Sequence, residues 1–283
     1  MPPNIQILYG TAWKQEETER LVRRALEVGF RGIDTACQPK HYNEAGVGAG
    51  IAAALNPRLK RSQLYLQTKF TPLSGQEPRQ VPYDAGSSPA DQVAQSSARS
   101  LENLRTDYLD CLLLHSPLPD PHDTFEVWRA MEKLVDAGIT RQLGISNVTR
   151  LEQLQAVCGI ARIQPAVLQN RFHAENSYDL RLRDFCGERG IVYQSFWTLT
   201  ANPQLLAHAS VHALARRHGR TPAQILFRYL TQLGIVPLTG TRSAQHMRQD
   251  LAIFDFELDA ADCESMHALL NPAAGVDRRV SPR

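Results

Sequence analysis

The stretch Arg31-Gly32-Ile33-Asp34-Thr35-Ala36-Cys37-Gln38-Pro39-Lys40-His41-Tyr42-Asn43-Glu44-Ala45-Gly46-Val47-Gly48 contains a strand, a loop and a helix start in succession. An apolar β segment over residues 30–34 ends at Asp34. A polar connection carrying Lys40, His41 and Tyr42 follows. Asn43 then opens a small-residue helical pattern over 44–55. A carboxylate at a strand's C-terminal end and a phenol in the next loop lie on the face where α/β folds carry out chemistry. Taken alone, the same residues also suit a turn-capping Asp and a surface Tyr.

Working outward, the unit repeats. Strands are predicted at 5–9, 63–68, 108–114, 141–145, 166–168, 191–195 and 235–238, besides 30–34. Helices are predicted at 16–28, 89–104, 125–137, 151–157, 180–188, 204–218, 222–232, 244–253 and 260–270, besides 44–55. Gly29, Gly138 and Gly190 sit where helices should stop, and Thr221-Pro222 reads as an N-cap followed by a first helical proline. The run 108–114 is almost continuously apolar, as a strand covered on both faces should be. Residues 71–89, rich in Pro, Gly and Ser, read as a long loop, and 271–283 as a disordered tail. Strands alternating with helices imply right-handed βαβ units and a parallel sheet. Eight such units in about 250 residues fit a closed (β/α)₈ barrel better than an open sheet. The expected organisation is one α/β barrel domain over 1–270, with 271–283 outside it. No Gly-x-Gly-x-x-Gly follows a strand, which argues against a doubly wound dinucleotide domain.

Composition narrows the function. The chain has 283 residues, 43% hydrophobic and 21% charged, with a net charge of +2. That balance gives no electrostatic case for nucleic acid or an anionic membrane. The five cysteines, at 37, 111, 158, 186 and 263, are odd in number, scattered and without Cys-x-x-Cys, so a reducing, cytoplasmic setting is expected. The N-terminal residues show neither a basic n-region nor an apolar h-region. The nine histidines show no metal-ligand spacing, so no metal is expected.

The strand ends, taken together, form a constellation. The second strand delivers Asp34, with Tyr42 in its loop. The third delivers Lys69, and the fourth His115, followed by Ser116-Pro117. In a barrel, adjacent strands bring all four side chains to one rim. An ammonium beside a phenol should lower its pKa. Asp34 would keep Lys69 charged and oriented, and His115 could bond the same substrate oxygen. Such a set can protonate a carbonyl oxygen as hydride reaches the carbon.

The chain resembles the aldo-keto reductases. The matching residues are Gly10-Thr11-Ala12-Trp13, Gly32-Ile33-Asp34-Thr35-Ala36, Tyr42-Asn43-Glu44, Thr68-Lys69, Ser100-Leu101 with Leu104, and Asp107-Tyr108-Leu109-Asp110. They continue with His115-Ser116-Pro117, Gly144-Ile145-Ser146-Asn147, Thr221-Pro222-Ala223-Gln224 and Phe254-Asp255-Phe256, in order across almost the whole chain. The resemblance implies a TIM barrel that binds NADP(H), with NAD(H) as a second choice, and reduces aldehydes or ketones with an Asp–Tyr–Lys–His tetrad. It implies Tyr42 as general acid, Lys69 as its tuner, Asp34 as partner of Lys69, and His115 as the group that orients the carbonyl. The family pattern Asp-Thr-Ala-x-x-Tyr-x-Asn-Glu is broken here. Pro39 stands at the fifth position after Asp34, and Tyr42 directly precedes Asn43, with His41 as the rival donor.

The resemblance also implies a nucleotide site. Ser146, Asn147 and Gln169 would hold the nicotinamide carboxamide, although Ser146 and Asn147 also suit helix caps. Phe196 would stack on the ring, and Trp197, Thr198 and Leu199 would begin the pyrophosphate side. Thr11, Ala12 and Asp34 would lie along the cofactor. Gly240, Thr241, Arg242, His246, Gln249 and Asp250 would surround the adenosine end. Relatives carry a Lys at the position of Gly240, so Arg242, helped by His246, is left to take the 2′-phosphate. The substrate pocket is expected to be walled by Trp13, Tyr9, Tyr42, His115 and the 71–89 loop. The expected partner is a small aldehyde or ketone, and the expected state a monomer or weak oligomer. The alternative is a cofactor-binding regulatory or sensor subunit with little turnover.

Overall fold

A computed structural model describes residues 5–270, so the expectation for 271–283 lies outside the described residues. Eight parallel strands close into a barrel in sequence order: β1 (Leu8–Gly10), β2 (Gly32–Asp34), β3 (Tyr65–Phe70), β4 (Cys111–Leu114), β5 (Leu143–Ser146), β6 (Val167–Arg171), β7 (Val192–Phe196) and β8 (Val236–Thr239). The fold is the expected (β/α)₈ barrel. Its helices are α1 (Thr18–Val28), α2 (Glu44–Ala54), α3 (Pro89–Leu104), α4 (Pro121–Asp136), α5 (Leu151–Ile160), α6 (Leu180–Arg189), α7 (Pro203–Leu206), α8 (Ala209–His218), α9 (Pro222–Gln232), α10 (Ala244–Leu251) and α11 (Ala260–Leu270).

Local sequence explains the helix ends. Leu21, Val22, Ala25 and Leu26 form the buried stripe of α1, which stops at Gly29 with φ +130°, a conformation open to glycine. Thr221 accepts from the Gln224 amide and Gln224 caps back, so α9 starts at a capping box. The helix expected at 125 begins instead at Pro121, because Asp120 caps it and Pro121 takes the first turn. The helix expected over 204–218 is two helices, divided where His208 accepts from the Ser210 amide.

Each strand begins later than expected and most end later. Apolar approach residues such as Phe30, Leu64 and Leu109 are buried beneath the barrel without joining the ladder. Polar residues such as Lys69 and Gln169 belong to the strands, because they point inward. Along β3, Tyr65, Gln67 and Lys69 alternate toward the barrel axis in successive layers. The bottom layer is apolar, with Leu8, Tyr65, Cys111, Leu113, Val167 and Val236. A second, larger core fills the space between strands and helices. Tyr9 belongs to that outer core: it is fully buried, its ring lies 5.7 Å from Phe30, and its hydroxyl donates to the Thr241 carbonyl. It therefore does not wall a pocket, contrary to expectation.

The barrel closes where β1 meets β8, through the pairs Leu8↔Leu238 and Tyr9↔Thr239. Side chains reinforce this short seam. Arg242 donates to Glu17 and to the Trp13 carbonyl, and Lys14 donates to the Gly240 carbonyl.

Candidate active site

Above the apolar bottom lies a layer of amides. Gln67, Gln169 and Gln194 come from β3, β6 and β7, and Gln194 Oε1 accepts from both other side chains at 2.9 Å. Gln67 and Gln169 also donate to Asp34 Oδ1, at 2.7 and 2.9 Å. Lys69, 1% exposed, sits on the same carboxylate, with Nζ 2.8 Å from Oδ1, from Oδ2 and from the Thr35 carbonyl. All three ammonium protons are thus engaged. Burial pulls the Lys69 pKa down, and Asp34 opposes that pull.

Tyr42 and His115 face a cleft of about 910 Å³ at the C-terminal rim of the barrel. Their ring centroids are 6.1 Å apart and edge-on, and Lys69 Nζ lies 5.3 Å from the Tyr42 ring centroid. The loop that presents Tyr42 is held at several points. The His41 and Tyr42 amides donate to the Gln38 carbonyl, the Cys37 amide donates to the Lys69 carbonyl, and the Gln38 side chain donates to the Gly75 carbonyl. This turn accommodates the longer spacing, in which Tyr42 lies eight residues after Asp34 instead of five. His41 stacks on Trp13 with centroids 4.0 Å apart, and its Nδ1 bonds Gln38 Oε1 at 2.9 Å.

The electrostatics differ from the expectation for the phenol. Burial, and then the Asp34 carboxylate, push the Tyr42 pKa up. Lys69 does not lower it, because its charge is matched by Asp34 at contact distance. His115 is pushed well below its ordinary value, first by burial and then by the Lys69 and His41 charges. At neutral pH the site presents a protonated phenol and a neutral imidazole.

The cleft runs from this pair to α10. Ala12, Trp13, Ser146, Asn147, Gln169, Phe196, Trp197, Thr198 and Leu199 line one part, and Gly240, Thr241, Arg242, His246, Gln249 and Asp250 the other. Asp34 also lines it, and Lys69 lies beneath. Thr11 does not face the cleft: its hydroxyl donates to the Asp34 carbonyl at 2.9 Å. Ser146 and Asn147 cap no helix. Ser146 Oγ donates to the Gln169 carbonyl, and Asn147 Nδ2 donates to the His115 carbonyl at 2.8 Å. Trp13, Asn147 and Trp197 line the cleft with left-handed backbone, φ between 55° and 61°. The 71–89 loop does not wall the cleft. Gln76, Tyr83 and Gly75 bond or pack against Cys37, Thr71 and Gln38, so the loop buttresses the rim from outside.

A model of the Aldo/keto reductase family matches residues 6–271. An aldo-keto reductase of Mycolicibacterium smegmatis is 34% identical over 254 residues, covering 89% of this chain and 82% of that protein. The chain belongs to the aldo/keto reductase family. An aldo-keto reductase of Mycolicibacterium vanbaalenii is likewise 34% identical, over 89% of this chain and 83% of its own length. Among solved structures, an aldo-keto reductase from a Medee basin deep-sea metagenome library superposes with a TM-score of 0.80 at 27% identity, covering 95% of this chain and 91% of that one. The aldose reductase of Schistosoma japonicum superposes with a TM-score of 0.78 at 30% identity, covering 93% and 88%. As an aldo-keto reductase, the protein is an oxidoreductase of carbonyl compounds in a family that generally uses NAD(P)H.

Within this family member, sequence reading passed over Lys14. It is 6% exposed, lines the cleft and donates to the Gly240 carbonyl. Burial, and then the neighbouring Arg242, lower its pKa to about 8. A Cβ at Gly240 would meet the Lys14 ammonium at 3.4 Å, so the absence of a side chain at 240 leaves room for it. A lysine following an exposed tryptophan reads as a solvated charge, and only the barrel closure turns it inward. Arg242, the cation singled out from sequence, is already paired with Glu17 at 2.6 Å. Asp250 accepts from Thr239, and burial raises its pKa to about 6. Among the described residues, His122, Asp123 and Glu126 could together approach a metal ion, but they lie on the first two turns of α4 and do not line the cleft. No helix among the described residues is long and apolar enough to cross a membrane.

Proposed function

We propose that the protein reduces an aldehyde or ketone to the alcohol at the expense of NADPH, with NADH as the weaker alternative. The observation that carries this reading is that Tyr42 and His115 face one cleft above the buried Asp34–Lys69 pair. The residues present fit a dinucleotide. Phe196 offers a ring face near the tetrad, and the Lys14 ammonium has a carbonyl but no carboxylate partner among the described ion pairs. When bound, the reduced nicotinamide supplies hydride to the carbonyl carbon.

Tyr42 then gives its proton to the carbonyl oxygen as negative charge builds there, which the raised phenol pKa allows because the proton is retained until it is needed. His115 donates to the same oxygen and fixes its direction. Lys69 and Asp34 lie under the phenol as a matched charge pair, which keeps the Tyr42 proton in place until the carbonyl oxygen takes it. Ser146, Asn147 and Gln169 place the carboxamide end, while Lys14, Arg242 and His246 face the anionic end of the dinucleotide. Trp13 and His41 form the aromatic side of the substrate entrance.

Mixing the protein with NADPH and an aromatic aldehyde tests the reading through loss of reduced-nicotinamide absorbance. Turnover that disappears in Tyr42→Phe is the expected result. Tight NADPH binding without oxidation across aldehydes, ketones and sugars would instead support the sensor reading.

A further inference from the structure

Thr71 lies just past the end of β3, 2% exposed, outside the residues that line the cleft. Its Oγ1 is 2.6 Å from Nδ1 of His115, a bond between two side chains at adjacent strand ends. The His115 backbone is held as well. The His115 amide donates to the Phe70 carbonyl, and its carbonyl accepts from Asn147. With Nδ1 taken up by Thr71, the Nε2 edge is left to face the cleft and Tyr42.

The bond could run in either direction, and burial decides between them. If Nδ1 carried the proton and donated to Thr71, the threonine's own O–H would be buried with no acceptor among the described residues. An unpaired buried donor is the costly case. If Thr71 donates to Nδ1, its proton is satisfied, and the neutral imidazole must carry its proton on Nε2. The 71–89 loop keeps the hydroxyl pointed that way. The Thr71 carbonyl accepts from the Tyr83 hydroxyl at 2.7 Å and from Gln76 Nε2 at 3.2 Å. The Thr71 methyl packs over Gly75, where an added Cβ would come within 2.8 Å of it. The methyl fills the space that a side chain at 75 would occupy, which leaves the hydroxyl on the His115 side.

We propose that Thr71 is a positioning residue: its hydroxyl donates to Nδ1 of His115 and so locks the imidazole as the tautomer whose Nε2–H points into the cleft at the substrate oxygen. This rests on the proposed reductase function, in which His115 is a second donor to that oxygen beside Tyr42. The opposite tautomer would present a lone pair there and repel the developing negative charge.

Nitrogen NMR on protein labelled with ¹⁵N-histidine tests the lock, with the His115 signals assigned by their loss in His115→Asn. The wild-type spectrum should show a neutral His115 protonated on Nε2. Thr71→Val should give a mixture of tautomers and lower kcat about tenfold, the size of effect set by one misdirected hydrogen bond to a reacting oxygen, while Kd for NADPH stays unchanged. Thr71→Ser should restore both the tautomer and kcat. An Nδ1-protonated His115 in the wild type would overturn the proposal. So would Thr71→Val with unaltered tautomer and kcat. Should Thr71→Val fail to fold, the wild-type and Thr71→Ser spectra decide alone. A wild type with the expected tautomer but no turnover on any carbonyl compound would refute the reductase reading and leave the Thr71 lock standing.

Discussion

Asp34 and Asp110 are buried carboxylates at opposite ends of the same barrel. Asp110, at the start of β4, accepts from Arg61 at 2.8 Å, from Arg141 at 3.2 Å and from the Leu66 amide at 3.0 Å. The Tyr108 ring has the two guanidiniums 4.0 and 4.2 Å from its centroid. The cluster ties the loops below the strands together and borders no cavity among those described. Asp34 is equally well bonded, by Lys69, Gln67 and Gln169, yet its group opens on the large cleft. The degree of satisfaction is alike, and what differs is the neighbourhood. One carboxylate is surrounded only by partners that complete the fold. The other supports a phenol and an imidazole with polar edges turned to open space. Satisfied buried charge alone therefore does not mark a functional site; adjacency to unused donors does.

The sharpest way to break this comparison is Tyr42→Phe. It should lower kcat/KM by about 10³-fold, within the usual range for a general acid, while circular dichroism melting stays at the wild-type value. A variant that retains activity would remove the upper cluster's distinction. Removing either buried carboxylate comes next. Asp34→Ala should cost about 3–5 kcal/mol in urea unfolding, because the buried Lys69 ammonium loses its partner, and Asp110→Ala should cost less, because Arg61 and Arg141 reach solvent. Only Asp34→Ala should also lose activity per folded molecule. Equal activity losses would mean that the two ends do the same job.

Smaller effects sharpen the account of the cleft. Arg242→Ala should reduce the preference for NADPH over NADH by about fivefold in fluorescence titration, roughly one charge-assisted bond; an unchanged ratio retires Arg242 as the 2′-phosphate ligand. The smallest effect is a pH dependence. Lys14 titrates at about 8 in the fold against an ordinary 10.5, so above about 8 the cleft loses a positive charge. NADPH affinity should fall as pH rises from 8 to 9, and Lys14→Met should flatten that slope. The sign for stability is opposite. The folded pKa lies below the unfolded one, so the unfolded chain binds more protons between these values and the wild type gains stability as pH rises through that window.

The fold was legible because strand–helix alternation recurs eight times with capping signals between. The positions of Asp34, Lys69 and His115 were legible because they end apolar runs. Three things were not. Tyr9 faces outward because it alternates with Leu8, which points into the barrel, and both faces of a barrel strand are apolar, so the run of apolar residues does not say which face is which. Gln67 and Gln194 lie inside the barrel, where a polar residue normally reads as solvent-facing; only the mutual pairing of their amides makes burial tolerable. The direction of the Tyr42 shift could not be read from type and order, since it depends on whether Asp34 or the phenol takes the ammonium's protons.

The seam between β1 and β8 joins the first and last strands through two residue pairs, and its flanks supply Trp13, Lys14, Gly240 and Arg242 to the cleft wall. A dinucleotide lying there would touch both margins and act as a removable staple between the first and last strands. Opening of the barrel at this seam would then require its departure. Resistance to proteases and heat should accordingly rise with the concentration of added nucleotide.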